Sequence, residues 1–218
     1  MISITERLRV PELRGAKRLP RSFAERDPVL VAPELLGKLL RRGPLVARIV
    51  EVEAYRGASD AASHAFRGKT ARNATMFGPA GHLYVYFTYG MHWCANVVCG
   101  PDGEAAAVLI RALAPLSGLG EMQAARPAAR LPRDLCNGPA KLCQALGITG
   151  TDNGADLLAP AQGRSGSGRA GGGAPVRLLD DGTPPPRRPG RGTRIGIREA
   201  TEKRWRFWVP GDPNVSRP

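Results

Sequence analysis

At 218 residues, of which 42% are hydrophobic, the chain suits one large domain whose core needs no disulfide bonds. No apolar run approaches the roughly 20 residues that span a bilayer and no signal-like segment opens the sequence, so we expect a soluble, cytoplasmic protein. The net charge of +13 lies at the two ends (+6 in residues 1–50 and +7 in 163–218), which favours a polyanionic partner unless a codon bias toward arginine explains it.

The N-terminal region is expected to lead from a basic arm into a helix. Residues 1–20 are polar and basic, and we expect them to precede the folded domain as an arm. Asp27 followed by Pro28 is a typical helix start ahead of VLVAPELLGKLLRR (29–42), because aspartate caps free backbone N–H groups and proline fits the first helical position. Pro33 predicts that this helix either begins there or is kinked.

The segment LVARIVEVEAY, residues 45–55, is β-branched and alternating, and it is predicted to be a strand. Its period of two places one set of residues on a common face: Ala47, Ile49, Glu51, Glu53 and Tyr55. Residues 56–81 have no sustained period and are predicted to be an ordered loop with short helical pieces. Two further strands, LYVYFTYG (83–90) and AAAVLIRAL (105–113), are joined by a connection that contains the turn signal Pro-Asp-Gly.

The C-terminal half begins with a short predicted helix. GPAKLCQALGI, residues 138–148, has Pro139 at its start and Gly147 at its end, which are the preferred positions of these residues in a helix. Residues 159–192 contain nine glycines and six prolines, which predicts a flexible surface excursion.

Two strands are predicted beyond this excursion, TRIGI (193–197) and RWRFWV (204–209). The whole pattern favours an α+β fold, in which a mostly antiparallel sheet and short helices form one mixed domain over residues 1–218. No internal repeat divides it.

Glu53 is a candidate general base. A carboxylate on a strand usually belongs to the solvated face, but Tyr55 shares this face and the following loop presents His64, so aromatic walls would let Glu53 hold and activate a water. Glu51 and Glu53 together suggest a glycosidase pair, yet two positions apart on one strand they cannot flank a bond from opposite sides. Arg111 lies in a strand predicted to be buried, and it needs an anionic partner, which is a structural carboxylate, Glu53 or a phosphate.

Five aromatic residues lie within ten positions, from Tyr84 to Trp93. In a strand, Tyr84 and Tyr86 point to one side, whereas Tyr89 leaves on the opposite side or sits on a turn at Gly90. The tyrosines are either core residues or a surface that stacks on nucleic-acid bases. Stacking explains the preference for tyrosine better, because a buried hydroxyl needs a partner and phenylalanine would fill a core without one.

The four cysteines are predicted to be buried free thiols. They show neither Cys-x-x-Cys spacing nor a histidine neighbourhood, which argues against a metal site. They are Cys94, Cys99, Cys136 and Cys143.

Several motifs, taken in order, resemble the alkyladenine (3-methyladenine) DNA glycosylase family. E-A-Y is followed by A-S-H, T-A-R-N, Y-V-Y-x-x-Y-G-M and L-I-R-A-L, and then by LCNGPAKLCQALGI, TRIGI and RFWVPGDPNVS. The resemblance covers most of residues 20–158 and 193–216. It implies a base-excision-repair enzyme that flips a damaged purine out of duplex DNA, hydrolyses its N-glycosidic bond and inserts a protruding β-hairpin into the minor groove.

The resemblance also implies roles for single residues. Glu53 matches the general base that activates water, and Arg111 matches the arginine that holds this water. Tyr55, His64 and Tyr86 match the aromatic walls of the family's base pocket. Asn96 matches the group that disfavours the guanine amino group, and Ile195 matches a residue whose backbone carbonyl helps to hold the water. Tyr89 matches the wedge that enters the minor groove, and Met91 and His92 are expected beside it, although His92 and Trp93 stand where the family commonly has a tyrosine. Phosphate contacts are expected from Thr70, Arg72 and Lys141, and Tyr84 is expected to contact either a phosphate or a neighbouring strand.

The implied substrate is double-stranded DNA that contains 3-methyladenine, 7-methylguanine or hypoxanthine. No cofactor and no metal are implied, and the enzyme is expected to be a monomer that meets DNA at the nucleoid. Because the motif has no lysine beside Glu53, it is expected to hydrolyse without lyase chemistry. The alternatives are a non-catalytic minor-groove binder and an RNA-binding module that stacks unpaired bases.

Overall fold

The computed structural model describes residues 15–160 and 173–216. The strands in these residues are β1 (Lys17–Arg18), β2 (Leu39–Arg42), β3 (Leu45–Tyr55), β4 (Leu83–Thr88), β5 (His92–Val98), β6 (Ala107–Ser117), β7 (Val176–Asp180), β8 (Gly190–Gly192) and β9 (Arg206–Trp208). The α-helices are α1 (Arg21–Ala24), α2 (Pro28–Leu35), α3 (Leu119–Ala125) and α4 (Pro139–Leu146). Short 3-10 helices cover Gly57–Ser59, Ala74–Phe77, Pro132–Asp134 and Gly150–Asp152.

The strands form one antiparallel sheet with β3 at its centre. The order is β1-β7-β2-β3-β6-β5-β4, and β9 pairs with β3 and with β8. One edge of β3 pairs with β6 along its length, whereas the other edge pairs first with β2 and then with β9. The predicted α+β class, with a mostly antiparallel sheet and short helices, is confirmed.

The main apolar core lies between one face of the sheet and the helices. It includes Leu35 of α2 and Leu142 of α4, which are fully buried with Ile49 and Ile110 of the sheet. A second, smaller cluster is packed around Tyr84, where the loop after β3 covers the sheet. The candidate site lies beside this second cluster.

The predicted alternation along β3 is wrong in its first half. Ala47 and Ile49 belong to the main core together with Val52, so they do not share a face with Glu51 and Glu53. The β3–β6 ladder shifts register between Ile49 and Glu51, and a bulge of this kind reverses the side-chain pattern that follows it. The bulge thereby turns both carboxylates away from the apolar core.

A second register shift places Arg111. Glu51 pairs with Ala112 and Val52 pairs with Ile110, so Arg111 is the extra residue of β6 between two paired positions. Because bulges often redirect a side chain beside a functional site, this irregularity accounts for an arginine within a buried strand.

The predicted helix starts agree with the structure, but the helical pattern expected over residues 29–42 is wrong in its last part, because the helix ends at Leu35 and Leu39–Arg42 pair as strand β2. The Asp27 carboxylate accepts a hydrogen bond from the Val29 N–H at 2.8 Å, and α2 begins at Pro28 and continues through Pro33. Helix α4 begins at Pro139, and Gly147 ends it with a φ of 64°, a conformation that glycine adopts without strain. The loop after β3 contains the expected short helical pieces.

Three predictions differ from the structure. Residues 94–98 were predicted as part of a connection but belong to β5, which pairs with β4 in a hairpin. Residues 193–197 are not a strand, because Arg194 and Ile195 bond to the loop after β3 and to Glu53 instead of to a neighbouring strand. The excursion predicted over 159–192 is wrong for Val176–Asp180, which pairs with β1 and β2 and buries Val176 and Leu178.

Some predictions lie outside the described residues, namely most of the basic arm (residues 1–14) and residues 161–172 of the excursion.

The four cysteines are free and buried, as predicted. No helix in the described part of the chain is long and apolar enough to cross a membrane. Across residues 15–160 and 173–216, no group of three or more His, Cys, Asp or Glu side chains is placed to hold a metal ion.

Candidate active site

A cavity of about 530 Å³ opens on the sheet face that carries the second apolar cluster. Its floor consists of side chains from β4, β5 and β6, which include Leu109 and Arg111. The loop after β3, the first turn of α4 and residues 195–199 form its walls. A cavity of this size matches the usual volume of a small-molecule site.

Glu53 lies directly behind this cavity. Its side chain is fully buried, and its carboxylate contacts three residues that line the cavity. The Tyr55 hydroxyl donates to Oε2 at 2.8 Å, and the Ile195 N–H donates to Oε1 at 2.7 Å. Arg111 Nη1 lies 3.2 Å from Oε1. The carboxylate is thus held in one orientation at the edge of the cavity.

The surroundings of Glu53 favour a basic carboxylate. Burial raises the pKa of Glu53, and the Glu51 charge adds to the rise, whereas Arg111, the Ile195 N–H and Tyr55 oppose it. Burial also raises the pKa of Tyr55 well above its ordinary value, so the hydroxyl keeps its proton and donates a hydrogen bond to Glu53. A carboxylate with a raised pKa takes a proton from water more readily than an ordinary one.

Aromatic side chains surround the outer part of the cavity. The His64 ring meets the Tyr86 ring edge-on, with centroids 4.5 Å apart and planes at 88°. Burial lowers the pKa of His64, and the charge of Arg72 lowers it further, so the imidazole is neutral at neutral pH. Tyr55, His64 and Tyr86, which were predicted to enclose a base, all line this one cavity.

Tyr84 lines the cavity but is almost fully buried. Only 1% of the residue is exposed, and its hydroxyl is 3.2 Å from His64 Nδ1. Burial raises the pKa of Tyr84 to about 12, so the hydroxyl stays protonated. This burial favours the strand-packing contact expected for Tyr84, and its phosphate contact stays a prediction.

Asn96 and Ile195 both line the cavity. Asn96 is 4% exposed and its Nδ2 donates to the Tyr84 carbonyl at 3.0 Å, which fixes the amide plane. Ile195 contacts Glu53 through its N–H, whereas the sequence assigned its carbonyl to the water. The carbonyl contact stays a prediction.

The tip of the β4–β5 hairpin carries the three predicted wedge residues. Tyr89 is 83% exposed and Met91 is 66% exposed, and His92 is exposed beside them. Tyr89 has a φ of 51°, which costs a non-glycine residue about 1 kcal/mol or more. Tyr89 and His92 also reach the cavity mouth. The insertion of this tip into DNA stays a prediction.

The other predicted phosphate contacts are at the surface. Thr70, Arg72 and Lys141 are exposed. The Arg72 Cζ lies 5.6 Å from the Tyr86 ring centroid, so its charge is next to the cavity wall. Lys141 lies in the first turn of α4, which lines the cavity through the preceding residues. Their contact with phosphates stays a prediction.

One buried ion pair behind the cavity was missed. Arg194 and Asp60 form a two-point pair at 2.6 and 2.8 Å, and both side chains are fully buried. The Arg194 Cζ lies 4.6 Å from the Tyr55 ring centroid, and its neighbour Ile195 bonds to Glu53. The pair therefore joins the loop after β3 to residues 193–200 and supports one wall. The sequence offered only an isolated aspartate and an isolated arginine as signals.

Comparisons with known proteins agree with this arrangement. A sequence model of the family described as methylpurine-DNA glycosylase matches residues 22–213. A Burkholderia lata protein is 55% identical over 92% of this chain and 91% of its own length. A Burkholderia cenocepacia protein is 53% identical over 91% and 90%, and a Streptomyces avermitilis protein is 46% identical over 91% and 90%. Each bears the name "Putative 3-methyladenine DNA glycosylase". The chain therefore belongs to the methylpurine-DNA glycosylase family, and it is an enzyme of the class that hydrolyses N-glycosyl bonds.

Proposed function

We propose that this protein removes damaged purines, 3-methyladenine among them, from double-stranded DNA with a water that Glu53 activates. The observation that supports this most is the buried Glu53 carboxylate, which three cavity-lining residues hold beside a cavity of suitable size for a nucleobase. A buried carboxylate whose pKa is raised and which polar groups hold in place is typical of a general base.

The chemistry follows from the position of this carboxylate. A flipped base stacks between Tyr55 and the pair of His64 and Tyr86. As the bond from C1′ to the base nitrogen breaks, its electrons leave with the base and the sugar becomes oxocarbenium-like. The water oxygen bonds to C1′ while Glu53 takes a proton from it. Each oxygen accepts one described hydrogen bond, but Oε1 also lies in the ion pair with Arg111, so Oε2 is the oxygen proposed to accept this water.

The range of substrates follows from charge and hydrogen bonding. A purine alkylated at N3 or N7 carries positive charge, which weakens its glycosidic bond and favours π-rich walls. We therefore include 7-methylguanine, and hypoxanthine as a base that is unpaired more easily than a normal one. An N–H of Asn96 opposes the amino group of undamaged guanine, donor against donor. Without a lysine beside Glu53, the product is an intact strand with an abasic site.

The duplex is proposed to lie across the cavity mouth. Tyr89 fills the gap left by the flipped base, with Met91 and His92 beside it in the minor groove, and Thr70, Arg72 and Lys141 contact phosphates. The enzyme is proposed to act as a monomer on chromosomal DNA at the nucleoid. A non-catalytic minor-groove binder would use the same hairpin, but it has no use for a buried carboxylate of raised pKa behind the pocket.

Release of bases from methylated duplex DNA tests this proposal. We expect the wild type to release 3-methyladenine and Glu53→Gln to lose about 100-fold or more of the single-turnover rate, which is the usual contribution of a general base. Glu121→Gln, which changes an exposed glutamate of α3, is the matched control and should keep the full rate. Full activity of Glu53→Gln would contradict the role of Glu53, and the absence of release by the wild type would contradict the substrate.

A further inference from the structure

Two carboxylates, not one, contact Arg111. Glu51 is fully buried and does not line the cavity. Its Oε1 accepts a hydrogen bond from Arg111 Nε at 3.0 Å and one from Arg206 Nη1 at 3.3 Å. Its Oε2 accepts the Ser216 N–H at 2.7 Å. Glu51 therefore joins β6, β9 and the C-terminal end of the described chain behind the active site.

Every nitrogen of the Arg111 guanidinium has a partner. Nε bonds to Glu51 at 3.0 Å, Nη1 contacts Glu53 at 3.2 Å and Nη2 donates to Ser216 Oγ at 3.3 Å. The group is planar, so these contacts on three corners fix its rotation. Both Nη atoms retain an N–H for other acceptors, and Arg111 lines the cavity, where a water would be.

Arg111 would adopt another arrangement without Glu51. A guanidinium prefers a bidentate, fork-like contact with a carboxylate, and Glu53 would be the carboxylate left within its reach. Such a contact would occupy the lone pairs of Glu53 and hold it in its ionised form, which weakens it as a base. Glu51 draws Nε to itself, so Arg111 contacts Glu53 through Nη1 alone.

We propose that Glu51 is a positioning residue, which together with Ser216 holds Arg111 so that Glu53 remains free to take a proton from water. This inference rests on the proposed role of Glu53 as the general base. Neither residue touches the substrate. Glu51 acts through Arg111 and through its own charge, whereas Ser216 acts through its hydroxyl alone.

The effect of Glu51 on Glu53 has a definite sign. Charged and titratable groups from several parts of the fold face Glu53. They are Glu51 and Tyr55 of β3, Arg111 of β6, Arg206 of β9, Arg194 of residues 193–200, and Tyr86 and Cys94 of the β4–β5 hairpin. Glu51 is the carboxylate of this set, and its charge raises the pKa of Glu53. Removing that charge lowers the pKa of Glu53, and an Arg111 released toward Glu53 lowers it further.

The decisive experiment is the pH dependence of single-turnover base release from methylated duplex DNA by Glu51→Gln. Glutamine keeps the shape but has no charge and a single acceptor oxygen, so it cannot accept from both Arg111 Nε and the Ser216 N–H as Glu51 does. We expect the acidic limb of the rate profile to move to lower pH and the plateau to fall roughly 10- to 100-fold, as for a misplaced catalytic group. A purely structural role predicts a lower plateau with an unmoved limb, and that result would overturn the proposal.

Variants of Ser216 provide a second measurement that does not require the loss of a buried charge. Ser216→Ala removes the acceptor for Arg111 Nη2, so we expect a lower plateau with an unmoved acidic limb, and Ser216→Thr should restore the rate. Wild-type rates in Ser216→Ala would overturn the role of Ser216. If wild type released base and Glu53→Gln did not, while Glu51→Gln kept the wild-type limb, only this inference would fail; an inactive wild type would overturn the proposed function with it.

Discussion

Burial of Glu53 affects stability as well as chemistry. Because burial raises the pKa of the Glu53 carboxyl, the folded protein holds this proton to a higher pH than the unfolded chain does. The stability that comes from this difference is complete below the unfolded pKa and is lost as pH rises through the folded pKa. At the pH at which Glu53 is ionised and ready for catalysis, its charge therefore lowers the free energy of unfolding.

Replacing Glu53 by glutamine should reveal this loss. Glutamine does not ionise, so wild type becomes less stable relative to Glu53→Gln as pH rises through the raised pKa. We expect the difference in Tm, variant minus wild type, to increase from about pH 4 to pH 8 in thermal unfolding followed by circular dichroism. Glu121→Gln should show no such trend, because this glutamate of α3 is exposed. A difference that stays constant with pH would contradict the expectation.

Single residues with strong chemical signals could be predicted from the sequence, but their partners could not. Glu53 and Arg111 stood out as polar residues in apolar strands, and the structure places them 3.2 Å apart. Asp60 and Arg194 are separated by 134 positions, and nothing in their spacing indicates that they pair. The burial of Tyr84 was not predictable for a related reason, because alternation gives the side of a strand but not how deeply a hydroxyl is buried.

At the scale of whole elements, regular segments were predictable and irregular ones were not. Local signals predicted the bounds of β3 and α4 and the start of α2, but not the end of α2, after which Leu39–Arg42 form β2. The bulges depend on how β3 pairs with β6, which the sequence of either strand alone does not determine. Strand β7 was hidden by its glycine- and proline-rich surroundings, although pairing with β1 and β2 stabilises it.

Tyr89, at the tip of the β4–β5 hairpin, tests the proposed insertion of this hairpin into DNA. Tyr89 is 83% exposed, so Tyr89→Ala should leave the fold intact. We expect its binding to abasic-site duplex to weaken roughly 5- to 150-fold, which corresponds to about 1–3 kcal/mol of lost stacking, together with less base flipping. Fluorescence anisotropy and a fluorescent base analogue measure the two effects. Leu30→Ala, which truncates a 59% exposed leucine of α2, is the control; equal affinities of the two variants would exclude a wedge.

At the scale of the whole molecule, the positive charge divides into arginines paired inside the fold and cations at the surface near the cavity. The chain carries 32 Lys and Arg against 19 Asp and Glu. Many arginines are in ion pairs inside the fold, such as Arg194 with Asp60, and these hold the fold rather than attract DNA. Arg72 and Lys141 differ from them, because both are exposed near the cavity and no carboxylate pairs with either among the described residues. These two positions should therefore contribute most directly to phosphate binding.

The salt dependence of binding separates these two kinds of cation. Each phosphate contact releases counterions, so the affinity for duplex DNA should fall linearly with salt on logarithmic axes, with a slope of about 0.9 for each contact. We expect Arg72→Gln and Lys141→Gln each to reduce the slope by about one, measured by fluorescence anisotropy on damaged and undamaged duplexes alike. Arg26→Gln changes the net charge equally, but Arg26 pairs with Glu34 at 2.7 Å, so its slope should stay that of the wild type. If all three variants changed the slope equally, net charge rather than position would govern binding, because the three substitutions change the net charge by the same amount.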